Sequence, residues 1–295
     1  MRRWWRDLGD LVLPAECGGC GRARTVLCPR CRAVLSGGAP CRVRPDPEPP
    51  GLPAVYAATR YADEARAALL AHKERGVLAL AGPLGTALAG AVRAGLREAG
   101  AHGGEVRCGR ARWPVLLVPV PSARRAVRAR GHDPARRIAL AAAGELRRTG
   151  TSARVLAALR QRHAVADQSG LDARQRRDNL AGALVVATGG ARLLGGRGRI
   201  VLVDDLMTTG ASLAEAARAV REAVADECRD EQGAGARTYG TAKSTVYSSA
   251  AREGREERKS GPRMKGPDGG GGVIPEAIWA AVVAASPDAF EINRN

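Results

Sequence analysis

The chain has 295 residues, of which 45% are hydrophobic and only 3% aromatic, and its formal net charge is +17. This size allows one main α/β core with a small additional module, and no apolar run is long enough to predict membrane insertion. The charge supports polyanion binding only weakly, because 43 of the 47 basic residues are arginines that spread along the chain. So few aromatic side chains offer little surface for base stacking, so direct binding of single-stranded DNA is the least favoured function.

Two cysteine pairs predict a metal module in residues 1–44. Each pair is Cys-x-x-Cys, with seven residues between the pairs, at Cys17, Cys20, Cys28 and Cys31. Four thiolates at this spacing suit tetrahedral Zn²⁺. A disulfide framework and a redox site are less favoured, because residues 1–13 contain two aspartates and no long apolar core, which predicts no signal peptide and a reduced, cytoplasmic setting. Cys41 could substitute in the zinc shell, and Cys108 and Cys228 have no partner in the pattern; all three are interpreted as structural or incidental.

A stiff, proline-rich linker at residues 44–53 precedes the predicted core. Residues 54–61 are predicted to form a strand or one arm of a hairpin. The Ala- and Leu-rich segments 62–72 and 77–98 are predicted to form helices, with Pro83 at a break or a first turn. Lys73 lies between these helices, either at a solvated helix end or in reach of a substrate phosphate.

The apolar run that begins at Val115 predicts a second buried strand, and Pro119 and Pro121 are expected to end its pairing before Ser122. A basic segment follows, with Arg124, Arg125, Arg128 and Arg130 before Gly131 and His132. Converging guanidiniums on a proline-stiffened loop suit a pyrophosphate group. Taken alone, the segment is more simply the solvated start of a basic helix.

Residues 138–148 are predicted to form the next helix, and residues 155–159 and 182–186 two short strands. Between these strands, residues 168–182 are polar and basic. This composition favours a mobile loop, and a charged linker is the alternative.

The most specific pattern covers residues 199–212. Ile200 to Val203 form an apolar run typical of a parallel strand buried on both faces, and Asp204 and Asp205 follow it. Thr208, Thr209, Gly210 and Ser212 then lead into a predicted helix over residues 213–223. Hydroxyl groups and free amides at a helix start can hold a phosphate dianion, and two carboxylates beside it suit sugar hydroxyls or the shell of Mg²⁺. The pattern therefore predicts a site for a phosphorylated ribose; a strand end with an ordinary helix cap is the alternative.

This last segment closely resembles the phosphoribosyl pyrophosphate (PRPP) loop of type I phosphoribosyltransferases. Together with the Val-Pro-Val-Pro strand end, the Arg-Gly-His element and the stretch 168–179, it occurs in the order typical of the ComF family of phosphoribosyltransferase-like proteins. The four cysteines extend the resemblance over most of residues 8–225. One departure is that the family commonly follows its Arg-Gly pair with Phe-Asn-Gln, where this chain has His132, Asp133 and Pro134.

The resemblance implies a type I phosphoribosyltransferase-like fold, in which helices flank a parallel sheet beside a small zinc module. It also implies release of pyrophosphate from PRPP by a nucleophilic acceptor, with Mg²⁺. Asp204 and Asp205 would contact the ribose hydroxyls. The remaining PRPP contacts would come from Thr208, Thr209, Gly210, Ser212, Pro121, Ser122 and Lys73. The pyrophosphate would be stabilised by Arg128 and Arg130, and by Arg174 and Arg177 of a closing loop that also includes Gln168, Leu171 and Asn179.

A function without turnover stays open as the alternative, since the family is associated with DNA uptake. In that interpretation the protein senses PRPP or a nucleotide and docks onto DNA-uptake proteins or nucleic acid.

The carboxyl-terminal region changes character after residue 225. Residues 226–272 lack apolar periodicity and are predicted to be a disordered insertion, genuine or due to an error in the gene model. Apolar residues resume at 273, and residues 277–285 predict a final strand of the sheet. The predicted α/β domain thus comprises residues 45–225 and 273–290.

Overall fold

The computed structural model describes residues 16–102, 113–162, 180–195, 198–238 and 278–294. The strands in these ranges are β1 (Cys41–Val43), β2 (Val55–Arg60), β3 (Val115–Pro119), β4 (Ala153–Val155), β5 (Leu159–Gln161), β6 (Leu184–Val186), β7 (Arg199–Met207) and β8 (Trp279–Ala285). The α-helices are α1 (Pro29–Ser36), α2 (Asp63–Lys73), α3 (Ala81–His102), α4 (Arg124–Arg130), α5 (Pro134–Arg148), α6 (Gly190–Leu194) and α7 (Ala211–Thr238). Short 3₁₀ segments lie at Leu78–Leu80 and Pro287–Arg294.

Six strands form one sheet in the order β1-β2-β8-β7-β3-β4. All neighbours in it are parallel except β1 and β2, which are antiparallel. The expected α/β class with a largely parallel sheet is therefore confirmed, although the sheet is mixed. The strand predicted at residues 155–159 is wrong in its bounds: the chain turns at Leu156–Ala158, between β4 in the large sheet and β5, which pairs with β6 in a separate ribbon.

Alternation along β7 divides the core between the two faces of the sheet. Val201 and Val203 pack with α2, α3 and α5, whereas Ile200 and Leu202 pack with α7 and the β5–β6 ribbon. The same division holds in β8, where Ala281 and Val283 lie on the first face and Ala280 and Val282 on the second. A strand covered on both faces must be apolar throughout, which explains why these two sequences contain unbroken hydrophobic runs.

Among the described residues, one segment that includes most of α3 passes the length and composition test for a membrane span, which the sequence analysis did not expect of any apolar run. Residues Leu78–Gly100 are long and apolar enough to cross a membrane by length and composition, but in their 18-residue window with a mean hydropathy of 1.2, 61% is buried inside the fold. It packs on α5, β2 and β8. Its apolar character is thus explained by burial against the sheet, and the segment is weak support for a membrane span.

Helix α7 extends further than the sequence predicted. The helical pattern was expected to end near residue 223, but the helix continues to Thr238. Val224 is buried and Cys228 packs against the same core, so the inward face stays apolar past the predicted end. The expectation of disorder is therefore wrong for residues 226–238, which are helical, and the rest of the expected insertion, residues 239–272, lies outside the described residues.

Candidate functional site

The acidic pair lies inside β7 rather than after it. Pairing with β8 continues through Leu206 and Met207, so the strand outlasts its apolar run. Because successive side chains alternate, Asp204 lies on the α7 face and Asp205 on the α2 face of the sheet. Asp204 is half-buried and its Oδ1 accepts the Asp205 amide N–H at 2.8 Å, whereas Asp205 is only 6% exposed. The two carboxylates therefore face different surroundings.

The turn between β7 and α7 forms a small concave site at the carboxyl edge of the sheet. A cavity of about 40 Å³ is lined by Asp204, Leu206 and residues 207–213, which include Thr208, Thr209, Gly210 and Ser212. Gly210 has φ +74°, and its carbonyl accepts the Ala214 N–H at 2.9 Å as the first helical bond. The first-turn amides of α7 have no partner within the helix and point towards this end. Hydroxyls, free amides and the positive end of a helix dipole are the groups that suit an anion.

The proline-rich linker covers this turn, which the sequence did not predict. A Cβ added at Gly210 would lie 3.1 Å from both methyl carbons of Leu52 and 3.4 Å from Pro45. Arg221 of α7 donates to the Gly51 carbonyl at 2.9 Å. The linker is therefore a packed element that holds the hydroxyl turn against the first part of α7.

Two ion pairs lie at the end of α2, and one of them reaches the acidic pair. Lys73 Nζ lies 3.1 Å from Asp205 Oδ2, and Arg130 at the end of α4 makes two hydrogen bonds to Glu74, at 2.8 and 3.2 Å. The structure thus places Lys73 against Asp205, and it holds Arg130 on Glu74, the residue that follows Lys73 and that the sequence did not single out. Each of these two cations is paired with a carboxylate.

Electrostatics at the pair follow from this geometry. Burial raises the pKa of Asp204 well above its ordinary value, and the neighbouring Asp205 carboxylate raises it further. Burial favours the neutral amine of Lys73, but attraction to Asp205 and Asp204 outweighs it and raises the pKa of Lys73. Lys73 is therefore protonated at neutral pH.

Two histidines lie beneath these ion pairs. The His72 and His132 rings are 5.4 Å apart, and the Nε2 atom of each is buried without a hydrogen-bond partner among the described residues. Their Nδ1 atoms lie near the carbonyls of Val77 and Arg130, at 3.3 and 3.2 Å. Burial lowers the pKa of His72, and the nearby His132 lowers it further. His72 is therefore neutral at neutral pH.

A second cavity, of about 310 Å³, opens beside the end of β3. The predicted residues Pro121, Ser122 and Arg128 line it, together with Arg160 and Gln161 of β5, which the sequence did not single out. Arg128 is exposed at its edge. Since β3 and β7 are parallel neighbours, this cavity and the hydroxyl turn share the carboxyl edge of the sheet, where open α/β sheets bind ligands.

Two of the residues that replace the expected Phe-Asn-Gln sequence, Asp133 and Pro134, have a local structural role. Asp133 caps α5 by accepting the Arg136 N–H at 3.1 Å, and its other oxygen lies 3.5 Å from the Ser122 amide. Pro134 follows at the first helical position, where its missing N–H costs nothing. These residues therefore start α5 and help to shape the Ser122 turn.

The arginines of the expected closing loop cannot be placed. Arg174 and Arg177, like Gln168, Leu171 and Asn179, lie outside the described residues.

The amino-terminal cysteines form one compact cluster. The sulfur atoms of Cys17, Cys20, Cys28 and Cys31 all lie within 4.8 Å of one another. Tetrahedral zinc with bonds of about 2.3 Å requires sulfur separations of about 3.8 Å, and the Cys20–Cys28 separation is 3.6 Å. The four residues therefore fit a metal such as zinc. Cys41 lies outside the cluster, and the described cysteines form no disulfide.

Local hydrogen-bond donors favour the thiolate form of Cys17. Although burial opposes ionisation, the backbone amides of Cys28, Cys20 and Gly19 lower the pKa of Cys17 to about 6. The Cys28 N–H donates to the Cys17 sulfur at 3.3 Å. Burial and the neighbouring thiols raise the pKa of Cys31, which a bound cation would reverse.

No family model matches the chain, and no curated protein is significantly similar to it.

The acidic pair does not offer a direct magnesium site in this arrangement. Mg²⁺ requires near-octahedral oxygen ligands at about 2.0–2.1 Å. Lys73 holds one Asp205 oxygen and a backbone amide holds one Asp204 oxygen. The carboxylates present therefore fit an ammonium and hydroxyl donors better than a directly bound divalent cation.

Proposed function

We propose that the protein binds PRPP and transfers its phosphoribosyl group to a nucleophilic acceptor with release of pyrophosphate. The observation that carries this proposal is the β7–α7 connection. It combines an acidic pair, a hydroxyl turn with a positive-φ glycine, and a helix amino terminus within nine residues. A phosphorylated sugar offers both hydroxyl donors for the carboxylates and an anion for the turn.

On this proposal, the amides and hydroxyls at the start of α7 bind the 5′-phosphate. Asp204 and Asp205 accept hydrogen bonds from the ribose hydroxyls. The pyrophosphate lies towards the second cavity, where the exposed Arg128 and Arg160 guanidiniums counter its charge. Mg²⁺ would accompany the ligand, and a zinc ion in the cysteine cluster would be structural.

The chemistry demands positioning more than a strong base. The bond from the anomeric carbon to the pyrophosphate oxygen breaks, with its electron pair leaving on that oxygen. The acceptor's lone pair forms the new bond, and its surplus proton leaves to solvent. Fixed cations around the departing oxygen stabilise the charge that develops there. These requirements match a site built mainly from arginines, a lysine and backbone amides.

Pyrophosphate release tests this proposal. Zinc-loaded protein is supplied with PRPP, Mg²⁺ and a panel of nucleobases and amines, and pyrophosphate is followed by ³¹P NMR. We expect acceptor-dependent release that is lost in Asp205→Asn. Binding of PRPP without release for any acceptor would instead favour a sensing and docking protein, with DNA-uptake proteins among the partners to examine.

A further inference from the structure

We infer that Lys73 is the resident counter-ion of Asp205, and that it keeps free divalent cations off the acidic pair until a phosphate ligand draws it away. The inference rests on the proposed function for the identity of the phosphate ligand. The exclusion of free cations depends only on the described geometry.

The contact is close and shielded. Lys73 Nζ lies 3.1 Å from Asp205 Oδ2, and the side chain of Asp205 is only 8% exposed while that of Lys73 is 33% exposed. The lysine side chain is therefore more exposed to water than the aspartate side chain. A lysine in this position can leave towards solvent or towards a ligand, while the aspartate stays fixed in β7.

A divalent cation at the pair would meet three obstacles. It would have to displace Lys73 from Asp205 Oδ2 and the backbone amide from Asp204 Oδ1, or approach with fewer ligands than it prefers. It would also lie close to an ammonium of the same sign in a partly buried place, where like charges repel more strongly than in water. Metal alone should therefore bind weakly.

A second ion pair, between Arg130 and Glu74, balances another positive charge of the ligand-free site. Glu74, the residue after Lys73, holds Arg130 with two hydrogen bonds. Two of the cations expected to contact ligand phosphates are thus both held by carboxylates. A ligand with several phosphate charges competes for them, and each exchange releases a carboxylate. Metal and ligand then both favour the state in which Lys73 and Arg130 have left their carboxylates. We therefore expect the metal and the ligand to bind cooperatively.

Lys73→Met tests the inference, with Arg66→Met as the matched control. Arg66 is exposed on the same helix, seven residues away or about 10 Å along its axis, so both variants lose one positive charge. Mn²⁺ serves as the metal probe, and free Mn²⁺ is measured by electron paramagnetic resonance on the zinc-loaded, full-length proteins. PRPP affinity is measured separately by calorimetry.

Lys73→Met should bind Mn²⁺ at least about tenfold more tightly than wild type, and PRPP more weakly, whereas Arg66→Met should resemble wild type. A gain for one ligand with a loss for the other cannot result from misfolding, and adding Asp205→Asn should abolish the gain. Should Lys73→Met fold poorly, Lys73→Gln gives the same comparison.

The two proposals fail in different ways. If Lys73→Met binds Mn²⁺ no better than Arg66→Met while PRPP binding persists, the role of Lys73 is refuted and the proposed function stands. If Lys73→Met gains Mn²⁺ affinity while wild type does not bind PRPP, the exclusion by Lys73 is supported and the proposed function is refuted.

Discussion

Gly210→Ala tests whether the proline-rich linker holds the hydroxyl turn in place. Gly210 has φ +74°, where a side chain costs about 1 kcal/mol. The new Cβ would also lie 3.1 Å from both Leu52 methyl carbons, closer than ordinary van der Waals contact. Such overpacking adds about 1 kcal/mol. We therefore expect a loss of about 2 kcal/mol in the free energy of unfolding.

Gly150→Ala is the matched control, because Gly150 has φ +86° and nothing within 4 Å of an added Cβ. It should lose only the backbone part, about 1 kcal/mol. Unfolding in urea measures both variants, and a Leu52→Ala background should reduce the cost of Gly210→Ala to that of the control. Equal losses for Gly210→Ala and Gly150→Ala in the wild-type background would refute the packing of the linker on the turn.

Three further changes test other parts of the structure. Cys28→Ser should lower bound zinc well below one equivalent by metal analysis, because the fully buried Cys28 is one of the four cysteines that could hold the metal, and full zinc retention would contradict a zinc site there. The lowered pKa of His72 should stabilise the fold above pH 6.5, and this stability should be lost as the pH falls below that value. Melting temperatures at pH 7.5, 6.5 and 5.5 check this, and an unchanged slope in His72→Asn would contradict it. Glu215→Gln should cost about 1–2 kcal/mol in urea unfolding, since the buried Glu215 carboxylate pairs with Arg218 and accepts the Leu184 N–H. Glu48→Gln is the control, because Glu48 forms an exposed ion pair with Arg44 and its loss should leave the free energy of unfolding almost unchanged. Equal losses for Glu215→Gln and Glu48→Gln would contradict the role of the buried Glu215 pair.

The sequence was sufficient for features that depend on local pattern. The apolar run of β7 predicted a doubly covered strand, and the spacing of the four cysteines predicted one cluster. Both follow from rules that act over a few residues, namely alternation along a strand and the short reach of a metal ion.

Features that depend on distant contacts were missed. Nothing near Leu52 in the sequence shows that it packs against Gly210, about 160 residues later in the chain. The polar character of Asp204 and Asp205 suggested a strand end, yet β8 supplies pairing partners as far as Met207. The extension of α7 was hidden because Val224 and Cys228 continue its apolar face only sparsely. In each case the structure depends on a distant segment of the chain that the local sequence pattern does not identify.

The central claim is that the carboxyl edge of the sheet is a site for PRPP. Calorimetric titration of the zinc-loaded protein with PRPP, with and without Mg²⁺, tests it most directly. We predict saturable binding of one PRPP per chain that is strengthened by Mg²⁺ and weakened in Asp205→Asn. No saturable binding under either condition, in protein shown to be folded and zinc-loaded, would contradict the claim.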